Sequence, residues 1–180
     1  MLHHPTPDRP PDERVRHVIQ GSHLVSHDPA VVLTTILESC VATCLWDPVA
    51  GIGGMNHFLL AKGPEDGGTG YRYGSYAMEL LINDLHKRGA VRSRLHAKTF
   101  GGATMQNSFG RIGRENAEFA LDFIRAEELT LVSHSLLGTQ ARRIRFRPTT
   151  GSAQQRLVSE ADVPPVVTPA RLPDTDITFF

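Results

Sequence analysis

Two apolar runs separated by Asp47-Pro48-Val49-Ala50 set the tightest limit on what this chain can fold into. Val41–Trp46 and Ile52–Leu60 read as strands. Aspartate followed by proline is β-turn chemistry, because the pyrrolidine ring presets the backbone at the second turn position. The predicted unit is an antiparallel hairpin. With Asp47–Ala50 as a four-residue loop, Trp46 faces Gly51, and counting outward sets Cys40 opposite His57 on one face. Directly opposed residues bring their Cβ atoms ~4.5–5.5 Å apart, so a thiol and an imidazole are within reach of each other. A one-residue bulge would break that register.

The rest of the chain arranges itself around this hairpin. Val15–Gln20 and Val31–Ile36 read as strands joined by a Gly21–Pro29 loop, and Lys62–Gly70 reads as a glycine-rich loop. Apolar residues at helical spacing predict a helix over Ser75–Arg88, ended by Gly89, and a second over Arg114–Glu128 that buries Ala117, Ala120, Phe123 and Ile124. Leu95–Phe100, Leu129–Leu136, Arg142–Arg147 and Gln154–Val158 complete the strands. The expected class is α+β, with two principal helices packed on a mainly antiparallel sheet system. Residues 1–13 hold four prolines and little to bury, and 159–180 are again proline-rich. Both read as flexible, leaving 14–158 as the folded unit.

Composition removes several classes of function. Lys plus Arg equals Asp plus Glu at 19 each, so nothing in the charge balance suits nucleic acid or an anionic membrane surface. No run approaches the ~18–20 apolar residues of a membrane span, and Met1–Arg16 lacks the apolar segment of a secretory signal. Two cysteines in 180 residues do not make a disulfide scaffold. The expected compartment is the reducing cytoplasm, where Cys40 stays a thiol.

A thiol beside a histidine has chemical consequences. Free cysteine ionises near pH 8.5, so a base must take its proton before sulfur is a good nucleophile at neutral pH. An imidazole can do that and later protonate a leaving amine. On the residues alone two readings of Cys40 stand: nucleophile, or small buried hydrophobe. Cys44, flanked by Ala42 and Trp46, reads as core. It cannot reach Cys40 for a disulfide, because four strand residues span about 13 Å. His23 and His27 mimic a metal pair but fall in the predicted loop and read as surface histidines. Gly51-x-Gly53-Gly54 opens no helix and is no phosphate loop. Ser39 and Ser133-His134 lack partners for a serine triad. Arg142, Arg143, Arg145 and Arg147 read as a solvated strand face, with docking to acidic receptor or signalling partners the alternative.

The runs LTTILESCVATCLWDPVAGIGGMNHFLL (33–60), YGSYAMELLINDLHKRGA (73–90), AKTFGGATM (97–105), IGRENAEFALDFI (112–124) and GTQARRIRFRPTTG (138–151) resemble, in order, the CheD family. These are chemoreceptor glutamine deamidases of bacterial chemotaxis. The resemblance implies a layered α/β/β fold, like that of deamidating toxins, and a Cys–His–Thr catalytic group. The family nucleophile, in a Gly-Ser-Cys motif, falls on Cys40 and its histidine on His57. Its threonine falls on Thr34, with adjacent Thr35 the other claimant; the implied role is to orient the imidazole. It also implies glutamine side chains on the cytoplasmic helices of chemoreceptors as substrate, with no metal or organic cofactor. A CheC-type phosphatase or another chemotaxis protein is an implied partner. The family's glycine is Glu38 here, and a carboxylate so placed should raise the Cys40 pKa and lower or retune activity. The rival reading is a module that docks on receptors without turnover.

Overall fold

The computed structural model describes residues 12–60, 69–104 and 110–159. Most of the expected N-terminal arm, the body of the Lys62–Gly70 loop and the tail beyond Ser159 lie outside them. The hairpin forms from β4 (Val41–Asp47) and β5 (Ile52–His57), but its loop is Pro48–Gly51. Asp47 pairs with Ile52 and Trp46 with Gly53, a shift of two positions from the expected register. Asp47 itself moves the turn. Its Oδ1 accepts from the N–H groups of Val49 (2.9 Å) and Ala50 (3.0 Å), while its carbonyl accepts from Gly51 N–H at 2.9 Å. Asp47 therefore closes the strand as well as starting the loop. Gly51 supplies the left-handed residue (φ 64°) that ends such a loop without a Cβ penalty.

Two sheets and a helical layer stack as α/β/β. The five-stranded sheet runs β2-β5-β4-β6-β7, with β2 at Ser22–Ser26, β6 at His96–Gly101 and β7 at Thr130–Leu136. The four-stranded sheet runs β1-β3-β8-β9, with β1 at Arg14–His17, β3 at Val31–Leu37, β8 at Ala141–Arg147 and β9 at Ser152–Val158. Most pairings are antiparallel, as expected, but β1–β3 and β6–β7 are parallel. The expected Gly21–Pro29 loop contains β2. Its Ser and His residues hide a strand that only has to pair with β5 at the sheet edge.

Strand alternation sorts the core into two layers. Val41, Leu45, Ile52 and Phe58 face the helices α1 (Thr69–Lys87) and α2 (Gly110–Ala126), against Met78, Leu81, Leu85, Phe123 and Ile124. Ala42, Cys44, Trp46 and Met55 face the other way, against Leu33, Leu37, Ile144 and Phe146 of the four-stranded sheet. Each fully buried large side chain adds about 1.5–3 kcal/mol. Cys44 is core, at 0% exposure. The arginines of β8 are not a uniform solvated face. Arg142 is buried and donates to the carbonyls of Ser135 (2.6 Å) and Leu137, while Arg145 and Arg147 both bind the Glu13 carboxylate.

Candidate active site

Cys40 and His57 sit where the open end of the hairpin meets the four-stranded sheet. The hairpin register, continued by the Val41–Phe58 bridge, makes them diagonal neighbours instead of directly opposed. A shift of two residues keeps both on the face that looks into the inter-sheet layer. Cys40 packs against that layer, and Met55, two residues before His57, belongs to it. Diagonal cross-strand neighbours lie ~7–8 Å apart along the backbone, still within the span of a side chain as long as histidine.

β3 supplies the third group. Leu33 and Leu37 point into the inter-sheet layer, so Thr35 between them shares their face and Thr34 does not. Thr34 Oγ1 donates to the Ile144 carbonyl at 2.7 Å, which fastens β3 to β8. Thr35 Oγ1 lies 2.9 Å from His57 Nδ1 and 2.8 Å from the Val18 carbonyl. Thr35, not Thr34, therefore touches the imidazole. The Val18 carbonyl can only accept, and it is also 3.4 Å from Nδ1. The arrangement is satisfied when the Thr35 hydroxyl donates to Val18 and Nδ1–H donates to Thr35 Oγ1. That tautomer leaves a lone pair on Nε2, a buried atom with no hydrogen-bond partner among the described residues.

The segment carrying Cys40 is tied down by three successive carbonyls. Glu38 O accepts from Ala103 N–H, and Cys40 O from Gly102 N–H, both at 2.8 Å. Between them, Ser39 O accepts from Asn116 Nδ2 at 2.8 Å. Asn116 is fully buried on α2, and its Oδ1 accepts from Leu60 N–H at 2.8 Å, joining the segment before β4 to the one after β5. Gly101 permits the close approach: a Cβ there would lie 2.1 Å from the Cys40 carbonyl oxygen.

Comparison with known proteins finds relatives that match most of the chain. The family model described as CheD chemotactic sensory transduction matches residues 60–157. A protein of Cereibacter sphaeroides named probable chemoreceptor glutamine deamidase CheD is 50% identical over 178 residues, 96% of this chain and 89% of that protein. One of the same name from Acidiphilium cryptum is 54% identical over 155 residues, 82% of this chain and 80% of its own length. The chain belongs to the CheD family. Among solved structures, the Neisseria meningitidis protein NMB0706 covers 71% of this chain and 64% of its own at 10% identity and a TM-score of 0.46, a likeness too remote to speak to chemistry.

The electrostatics of this CheD site favour the neutral forms of both Cys40 and His57. Burial pushes the Cys40 thiol up to about 12, and the Glu38 carboxylate adds to the rise, while the Cys40 N–H pulls the other way. The contribution expected of Glu38 is therefore present but second to burial. Burial likewise lowers His57 to about 4, against a smaller upward pull from the Val18 carbonyl. A standing thiolate–imidazolium pair is not the resting state. His57 is instead held neutral, with Nε2 unpartnered among the described residues.

Asn116 and Gln20 escaped the sequence reading. Asn116 leaves one signal, a polar residue one position before Ala117 on the stripe that α2 buries. Gln20, whose Oε1 accepts from Cys40 Sγ at 3.3 Å, leaves none. His23, expected on the surface, is half-buried on β2 with Nε2 3.2 Å from Asp84 Oδ2 of α1. No helix among the described residues is long and apolar enough to cross a membrane.

Proposed function

We propose that this chain is a cytoplasmic chemoreceptor glutamine deamidase of the chemotaxis system, with Cys40 as nucleophile and His57 as its proton-transfer partner. The observation that carries the reading is the contact of His57 Nδ1 with Thr35 Oγ1 and the Val18 carbonyl, opposite an unpartnered Nε2. Thr35 and Val18 hold Nδ1, and the unpartnered Nε2 lone pair shares the inter-sheet face with a backbone-clamped Cys40. Relatives about half identical over most of the chain carry the matching name.

The chemistry follows from two neutral groups. Cys40 Sγ attacks the side-chain amide carbon of a receptor glutamine while its proton passes to His57 Nε2. The resulting imidazolium is relieved when it protonates the departing amide nitrogen, which leaves as ammonia and generates a thioester. His57, again neutral, takes a proton from water, hydroxide adds to the thioester carbon, and the thiol is restored as glutamate leaves. Thr35 acts as a positioning residue for the imidazole throughout. No metal or organic cofactor enters this route. The test is mass-resolved deamidation of a chemoreceptor cytoplasmic fragment by wild type and by Cys40→Ala. Conversion of particular glutamines by wild type alone is expected. Unchanged glutamines alongside retained receptor binding would make the chain a docking module.

A further inference from the structure

The side chain resting on the nucleophile belongs to the same chemical class as the proposed substrate. Gln20 ends in a primary carboxamide, and Cys40 Sγ donates to its Oε1 at 3.3 Å. The residue itself is exposed, so its amide stands on the solvent side of a thiol that is otherwise packed against the inter-sheet layer. Its position is set by the site's own parts. Gln20 lies between β1 and β2, in a segment where Val18 N–H donates to Thr34 O at 2.9 Å and Gly21 N–H donates to His57 O at 2.7 Å. The Val18 carbonyl is also the group that receives the Thr35 hydroxyl. The segment is thus pinned at both ends to the residues around the imidazole, and Ile19 and Gln20 form its exposed crest.

Resting on the deamidase reading above, we propose that the Gln20 carboxamide fills the subsite that receives the substrate's carboxamide. It acts as an internal pseudo-substrate that an incoming glutamine must displace. The contact suits this role because the thiol is a weak donor and the bond is open to solvent, so an arriving amide can replace it at small cost. While the bond stands, the S–H proton is held toward Gln20, which disfavours its transfer to His57. Displacement by substrate frees that proton at the moment the amide carbon arrives. A carboxylate in the same place would hold the proton more firmly and would resemble the product.

The test combines alkylation of Cys40 by iodoacetamide, itself a small primary amide, with steady-state deamidation of a chemoreceptor cytoplasmic fragment. Wild type is compared with Gln20→Ala and Gln20→Glu. Gln20→Ala is expected to speed alkylation about threefold to tenfold, the scale of one lost hydrogen bond, and to lower KM by a similar factor. Gln20→Glu is expected to slow alkylation and shift its pH profile upward. Because Gln20 is exposed, neither change threatens the fold. Unchanged alkylation in Gln20→Ala, with receptor glutamines still converted, overturns the pseudo-substrate and leaves the deamidase reading intact. A fall in kcat at constant KM overturns it too, since Gln20 would then be assisting the reaction. No conversion by any of the three proteins removes the deamidase reading itself.

Discussion

The β4–β5 hairpin buries an ionisable group at each end, and the two ends are finished in opposite ways. At the turn, Asp47 is fully buried, yet both carboxylate oxygens are satisfied by Val49, Ala50 and Val91 N–H groups and by Arg94. Burial alone would raise its pKa. The Arg94 guanidinium and the backbone donors outweigh that and hold the carboxyl below the usual carboxylate range. At the open end, burial is left uncompensated. Among the described residues His57 Nε2 has no partner, and the Cys40 thiol makes one weak bond, to an exposed side chain. A saturated polar cluster fixes shape, because each group would be costly to leave unmade. An unsaturated one stores the capacity to take up a proton or bind an amide.

The comparison is broken most severely at the open end. His57→Gln is expected to lower deamidation by about 10²–10⁴-fold, the usual worth of a positioned acid–base group, with little change in the unfolding midpoint. An activity assay paired with thermal unfolding checks both halves. The turn end should behave the other way. Asp47→Ala strands a partly buried Arg94 and three N–H donors, and is expected to cost about 3–5 kcal/mol in denaturant unfolding. The fraction that stays folded should keep its kcat.

Acid sharpens the contrast further. His57 binds a proton near pH 6.5 in the unfolded chain but only near 4 in the folded one. Between those values the unfolded state holds more protons, so stability is lost as pH falls from about 6.5 to 4, by up to about 3 kcal/mol. Equilibrium unfolding across that window should show the loss in wild type and a shallower one in His57→Gln. The smallest effect separates the two threonines. Thr35→Val is expected to lower kcat/KM about tenfold, the scale of one buried hydrogen bond, and to change its pH profile. Thr34→Val should move the unfolding midpoint alone.

Much of this was legible in the chain because it is periodic. The hairpin, both helices and the face shared by Cys40 and His57 follow from spacing. The register slipped because a turn residue whose side chain caps the loop looks the same as one that merely begins it; Asp47 does the former. β2 was missed because Ser22, His23 and Ser26 carry no apolar alternation. The threonine assignment was recoverable, since Leu33, Thr35 and Leu37 alternate as one buried face, whereas the family spacing pointed to the neighbour. Gln20 and Asn116 were beyond reach. Their importance rests on contacts 20 and 77 residues away that no local pattern announces.

The Thr34–Ile144 bond spans 110 residues, and it helps hold the strand that carries Thr35. During synthesis, Cys40 and His57 therefore leave the ribosome long before β8 exists to complete the sheet beneath the imidazole. A chain halted before residue 141 carries Cys40, His57 and Thr35 without the strand that pairs with β3. On the deamidase reading, competence would arrive late, with the closing of the last two strands.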